Sequence, residues 1–236
     1  MKFTGGKSVE GAHLGILMLD AQFPRIPGEV GNALTWDFPV HYKIVRGASP
    51  QRVVKERAAG LLQPFIDAGR ELIAMGADGI TTNCGFLSLF QAELAEALDV
   101  PVASSSLMQV QLVQAMLPPG KQAGVLTISA DTLTPDHLKA AGVPAQTPVV
   151  GCNPGGEFAR VILGNQLELD VEAARLDLVN AAQALREQVP NLGAIVLECT
   201  NMPPYSADIR AAAGVPVFGM DNFIRWFQAG LAPQRW

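Results

Sequence analysis

The chain has 236 residues, 49% of them hydrophobic and 17% charged, with a formal net charge of −5. That composition excludes a disordered chain, gives nucleic acid no basic surface to hold, and fits one large α/β domain or two of about a hundred residues. No apolar run nears the roughly eighteen residues that span a bilayer, and MKFTGGKSVEGAH lacks the apolar centre of a signal peptide, so a cytoplasmic protein without a membrane partner is expected.

In chain order, HLGILMLD at 13–20 reads as a first buried strand. The segment from Ala21 to Phe38 follows, broken by Pro24, Pro27, Gly28 and Gly31, and is expected to be an irregular loop that helps choose a ligand. A second strand, PVHYKIV at 39–45, leads to Ser49-Pro50, which opens a long helix towards Met75. GITTN at 79–83 runs into Cys84, with a helix beginning at Phe86 or Leu87, and PVASS at 101–105 gives a fourth strand. The rhythm then repeats: AGVLTIS at 123–129, a helix from Thr134-Pro135, TPVVG at 147–151, AIVLE at 194–198 running into Cys199, and VPVFG at 215–219. Asp170, Ser206 and Asp221 are N-cap candidates for the later helices. Short β-rich runs alternating with helical patterns predict parallel sheet covered by helices.

The two halves align by counting. Ile80, Cys84 and Val100-Pro101-Val102 recur 115 residues on as Ile195, Cys199 and Val215-Pro216-Val217. Gly15–Asp20 recurs at an offset of 109 as Gly124–Ser129, so the chain is read as an internal duplication. The predicted fold class is α/β: two similar Rossmann-like parallel-sheet lobes related by a pseudo-two-fold axis, with the site in the cleft between them. The expected boundaries are residues 1–105 plus 218–236 for the first lobe and 106–217 for the second.

Ligands of parallel sheets bind beyond the carboxyl ends of the strands, where both cysteines fall. Two thiols facing one cleft from opposite sides suit proton transfer at a carbon centre, one removing a proton and the other delivering one. The helix after Cys84 is expected to lower that thiol's pKa. Gly85, Thr200 and Asn201 stand where strand turns into helix and are candidates for stabilising a substrate carboxylate as it gains enolate character. A lone cysteine at a strand end is usually a core side chain, but the matched pair argues otherwise. Cys152 has no matched partner and reads as structural. His13, His41 and His137 share no ligand spacing with one another or with a cysteine, so no metal is expected. GGKS at Gly5 lacks the first glycine of a phosphate loop, and GCNPGG at Gly151 lacks nucleotide-fingerprint spacing.

GILMLD, GITTNCG, GVLTIS and GAIVLECTN, in this order over nearly the whole chain, give it a resemblance to the aspartate/glutamate/hydantoin racemase superfamily. The resemblance implies cofactor-independent catalysis by Cys84 and Cys199, a small carboxylate-bearing substrate, and a homodimer. Cys199-Thr200-Asn201 is similar to the family's C-T-[HEN] pattern, implying that Thr200 and Asn201 line the carboxylate site. The first phrase departs from the C-N-T of many amino-acid racemases: Cys84 precedes Gly85 and Phe86, and Asn83 lies before it. Asp20, Arg25, Asn83 and Ser129 complete the expected substrate-binding set. Strand alternation points Glu198 away from Cys199, which sets a surface or supporting role level with a catalytic one. The leading expectation is a racemase or epimerase; a malonate-type decarboxylase, a maleate-type cis-trans isomerase and a non-catalytic ligand-binding protein are the alternatives.

Overall fold

The computed structural model describes residues 2 and 4–234. Strands β1 (Leu14–Leu19), β2 (Val40–Val45), β3 (Gly79–Thr82) and β4 (Val102–Ala103) form one parallel sheet in the order β2-β1-β3-β4. Strands β5 (Gln122–Thr127), β6 (Val149–Gly151), β7 (Leu192–Leu197) and β8 (Val217–Phe218) form a second in the order β6-β5-β7-β8. Helices α1 (Leu62–Met75), α2 (Gln91–Ala97) and α3 (Val110–Met116) fall among or after the first four strands. Helices α4 (Pro135–Ala140), α5 (Glu157–Gly164), α6 (Val171–Gln188), α7 (Ser206–Ala213) and α8 (Met220–Leu231) follow. Among the described residues no helix is long and apolar enough to cross a membrane.

The duplication is visible in hydrogen-bond register. Gly15 pairs with Ile80, and Gly124, 109 residues on, pairs with Ile195, 115 residues on. Ile80 pairs with Val102 as Ile195 pairs with Val217. Beyond the strands the match continues: Leu87 N donates to Cys84 O at 3.0 Å, and Met202 N donates to Cys199 O at 3.1 Å. Two glycines keep the helices close to the central strands. A Cβ at Gly15 would meet Ile80 at 2.8 Å and Leu72 of α1 at 3.0 Å, and one at Gly124 would meet Leu192 at 2.9 Å and Leu185 of α6 at 3.1 Å.

One large apolar core runs through both halves, including β5, β7, the face of β1 that carries Leu17 and Leu19, and the helices over them. A smaller core forms where α8 returns to the first sheet, with Met220, Phe223 and Ile224 packing with Leu14, Ile16 and Ala103. The C-terminal helix of the chain therefore covers the other face of β1.

Three expectations need correction. The single helix from Ser49-Pro50 to Met75 is instead a wide helical turn at Gln51–Lys55, a break, and α1 from Leu62. Arg57 and Ala58 take left-handed backbone with φ of 54° and 53°. Pro64 has no amide hydrogen to give and fits only the first turn of a helix, so the helix restarts just before it. Ser206 is the first residue of α7 rather than its cap, and Asp221 lies inside α8, whose cap is Gly219 bonded to Asn222 Oδ1 at 3.2 Å. Asp170 caps α6 as expected, its Oδ1 accepting from Glu172 N and Ala173 N at 3.0 Å.

Candidate active site

Both cysteines sit two residues beyond the ends of matched strands, β3 and β7, and line one narrow, largely apolar cavity. Asn83, Gly85, Thr200 and Asn201 line it as well. The two sides are joined by hydrogen bonds: Thr200 Oγ1 donates to Asn83 O at 2.5 Å, and Ser106 Oγ to Glu198 O at 3.2 Å. Asn83 Oδ1 accepts from Leu19 N at 2.8 Å, which fixes its side chain against β1, while its buried Nδ2 has no protein partner. Asn201 Nδ2 lies 3.5 Å from Cys199 Sγ as a donor, and its buried Oδ1 is unpartnered.

Three of the expected residues lie elsewhere. Asp20 Oδ2 accepts from Gly47 N at 3.0 Å and Oδ1 faces Arg46 at 3.3 Å, so its carboxylate braces the loop after β2. Ser129, the matching position 109 residues on, begins a turn in which its carbonyl accepts from Leu133 N at 3.1 Å. Arg25 is held by Glu29 Oε1 at 2.5 Å and lies with its guanidinium 4.7 Å over the ring of Phe23. Phe23 in turn lines the cavity, so Arg25 stands behind an aromatic wall.

The helix after Cys84 does not make a ready thiolate. Burial pushes the Cys84 thiol up to about 12, and the Glu198 charge adds to this; the N–H of Phe86, the Arg25 charge and the N–H of Leu87 oppose it and lose. Cys199 is raised well above its ordinary value by burial and by Glu198, against the N–H and side chain of Asn201. Phe86 and Asn201 are equivalent under the 115-residue offset, so each thiol faces an amide of the same turn. The resting site therefore holds two neutral thiols.

Glu198 is the residue that strand alternation misplaces. The strand ends at Leu197, so alternation no longer fixes the next side chain, and Glu198 turns inward, 1% exposed, onto the cavity. Its Oε2 accepts from Thr127 Oγ1 at 2.8 Å. Burial lifts its pKa from 4.5 to about 7, against the lowering by Thr127 and Ile128 N–H. Gly85 is required by this approach: a Cβ there would stand 2.3 Å from both Glu198 O and Oε1. The duplication carries a signal for it, because Glu198 is the counterpart of Asn83, a candidate binding residue, under the 115-residue offset. Phe23, Phe86, Val54, Ile128 and Ile162 supply apolar wall. Cys152 is buried beside Asp177 and Glu198, which, after burial, raise its pKa to about 12.

Among the described residues no three His, Cys, Asp or Glu side chains gather as metal ligands.

The Asp/Glu/Hydantoin racemase family model matches residues 48–220. The chain is 30% identical over 232 residues to a dimethylsulfoniopropionate lyase of Durusdinium sp. clade D, spanning 93% of this chain and 76% of that protein. It is 31% identical over 228 residues to dimethylsulfoniopropionate lyase 7 of Emiliania huxleyi strain CCMP1516, spanning 92% and 67%. In fold it is similar to unliganded arylmalonate decarboxylase, with a TM-score of 0.61, 18% identity, and 95% and 94% of the two chains covered. A glutamate racemase from Bacillus anthracis matches with a TM-score of 0.59 and 19% identity over 94% of this chain and 85% of that one. The register-matched sheets, the paired strand-end cysteines and the family match over most of the chain make this protein a member of the Asp/Glu/hydantoin racemase family.

Proposed function

We propose that the chain is a cofactor-independent carbon-acid enzyme. It removes the proton α to the carboxylate of a small substrate, with Cys84 or Cys199 as the base. The observation that carries this reading is the placement of two thiols at equivalent strand ends on one enclosed cavity. The substrate carboxylate is held by Asn83 Nδ2, which is buried and free of protein partners, and by the turn amides beyond each cysteine.

Within that chemistry we favour β-elimination from a propionate that bears a cationic leaving group at C3, as in dimethylsulfoniopropionate. One thiol first gives its proton to solvent; the thiolate then takes the C2 proton, the C–H electron pair becomes the C2–C3 double bond, and the C3–S bond breaks with its pair on sulfur. The products are acrylate and neutral dimethyl sulfide, and the captured proton returns to solvent. The relatives' shared name supports this choice. So does the cavity: a second carboxylate, as in glutamate or a malonate, would face Glu198 with no guanidinium on the cavity wall, since Arg25 lies behind Phe23 and is paired through one nitrogen with Glu29. Racemisation of a small amino acid or hydantoin is the second reading, and the presence of both cysteines rather than one favours it.

Proton NMR in deuterated water distinguishes these outcomes. Loss of the C2 proton with appearance of acrylate and volatile sulfide is expected from dimethylsulfoniopropionate; α-proton washout from an intact amino acid or hydantoin would move racemisation ahead. A protein with reduced thiols that is inert towards all of them would refute the carbon-acid reading.

A further inference from the structure

Glu198 is a buried carboxylate on the wall of an apolar cavity, and no described cationic side chain pairs with it. One oxygen is occupied by Thr127, and the other lies against the Cys84-Gly85 turn. The groups that face it are uncharged donors and thiols: the Ile128 N–H, Thr127 on β5, Cys199 beside it, Cys84 on the opposite turn and Cys152 after β6, while Arg25, whose charge reaches Cys84, is paired with Glu29. A negative charge in such a place is stable only when a partner of opposite sign joins it.

We infer that Glu198 is the binding residue for an alkylated onium group, a sulfonium or quaternary ammonium, on the substrate. This rests on the reading that the cavity takes the substrate. An alkylated onium suits the wall better than a free ammonium does. It carries charge without N–H donors, and its methyl groups pack on Phe23, Val54, Ile128 and the ring of Phe86. A free ammonium would bring three donors, and besides the second Glu198 oxygen the cavity wall offers them one unpartnered buried acceptor, Asn201 Oδ1. The protein sets no cation of its own beside Glu198, so the ligand completes the pair.

Calorimetry with three propionates tests the inference without turnover: 3-(trimethylammonio)propionate, its isostere with a neutral tert-butyl head, 4,4-dimethylpentanoate, and β-alanine. At pH 8 the native protein is expected to bind the betaine at least about tenfold more tightly than either of the others. Glu198→Gln keeps an acceptor for Thr127 and removes the charge; it should bring the betaine down to the level of the isostere while leaving the isostere within about twofold. The native protein gives a second readout. Near pH 7, betaine binding releases a proton and isostere binding does not, measured by heats in buffers of different ionisation enthalpy. The inference is overturned by betaine preference that survives Glu198→Gln, by equal weakening of both ligands, or by no betaine binding to the native protein. Failure of the lyase reading is seen separately, as absent sulfide release with the binding preference intact.

Discussion

An unpaired buried carboxylate should cost folding stability over a defined pH range, and Glu198→Gln measures that cost. The folded pKa of Glu198 is about 7 against an ordinary value of 4.5. Below 4.5 the group is neutral in both states and costs nothing. Between 4.5 and 7 the unfolded chain ionises while the folded one holds its proton, so stability falls with rising pH, and above 7 the loss is complete. A displacement of that size corresponds to about 3 kcal/mol. Glutamine is neutral throughout, so the variant should match the native protein near pH 4.5 and exceed it by about 3 kcal/mol at pH 8.5, or by about 10 °C in melting temperature for a chain of this length. The shifts of Glu29 and His137 do not involve Glu198, so these groups are common to both proteins and cancel in the difference. Denaturant unfolding of both proteins at the two pH values is the assay. A stability difference that does not change with pH would refute the claim that Glu198 ionises unpaired in the fold.

Cys84→Ser and Cys199→Ser separate the chemistries: racemisation should lose about a hundredfold or more in either variant, whereas elimination should lose that much in only one, read as substrate C2-proton exchange and product release. Gly85→Ala should destabilise the protein by about 2 kcal/mol, because the new Cβ meets the Glu198 backbone oxygen at 2.3 Å, and thermal melting checks it. Arg25→Met strands Glu29, itself titrating near 7, and should cost about 3 kcal/mol at pH 8.5 but much less at pH 5, where Glu29 takes a proton; equal losses at both would refute the pairing.

Strands, parallel sheets and the doubled plan were legible because a strand buried on both faces must be apolar along its length, and the repeat preserves spacing between strand and cysteine. The placement of Cys84 and Cys199 at equivalent strand ends was legible for the same reason. Side-chain direction beyond strand ends was not: Glu198 turns in where alternation turned it out, and Asp20 and Ser129, equivalent positions, both serve loops away from the cavity. The depressed pKa expected of Cys84 failed because the turn supplies a few amides, whereas burial removes all solvent from the sulfur. Pro64 marked the break before α1, but its effect depends on where the first turn of the helix falls, which periodicity does not fix.

The return of α8 onto β1 sets an order on biosynthesis. Leu14 and Ile16, made first, are completely buried only once Met220, Phe223 and Ile224 have left the ribosome. Until then a growing chain carries an open apolar sheet face through the translation of more than two hundred residues. The first half is therefore the one that needs chaperone cover as a nascent chain, and stalling translation before residue 220 should yield an aggregation-prone fragment in which the second sheet is the better protected of the two.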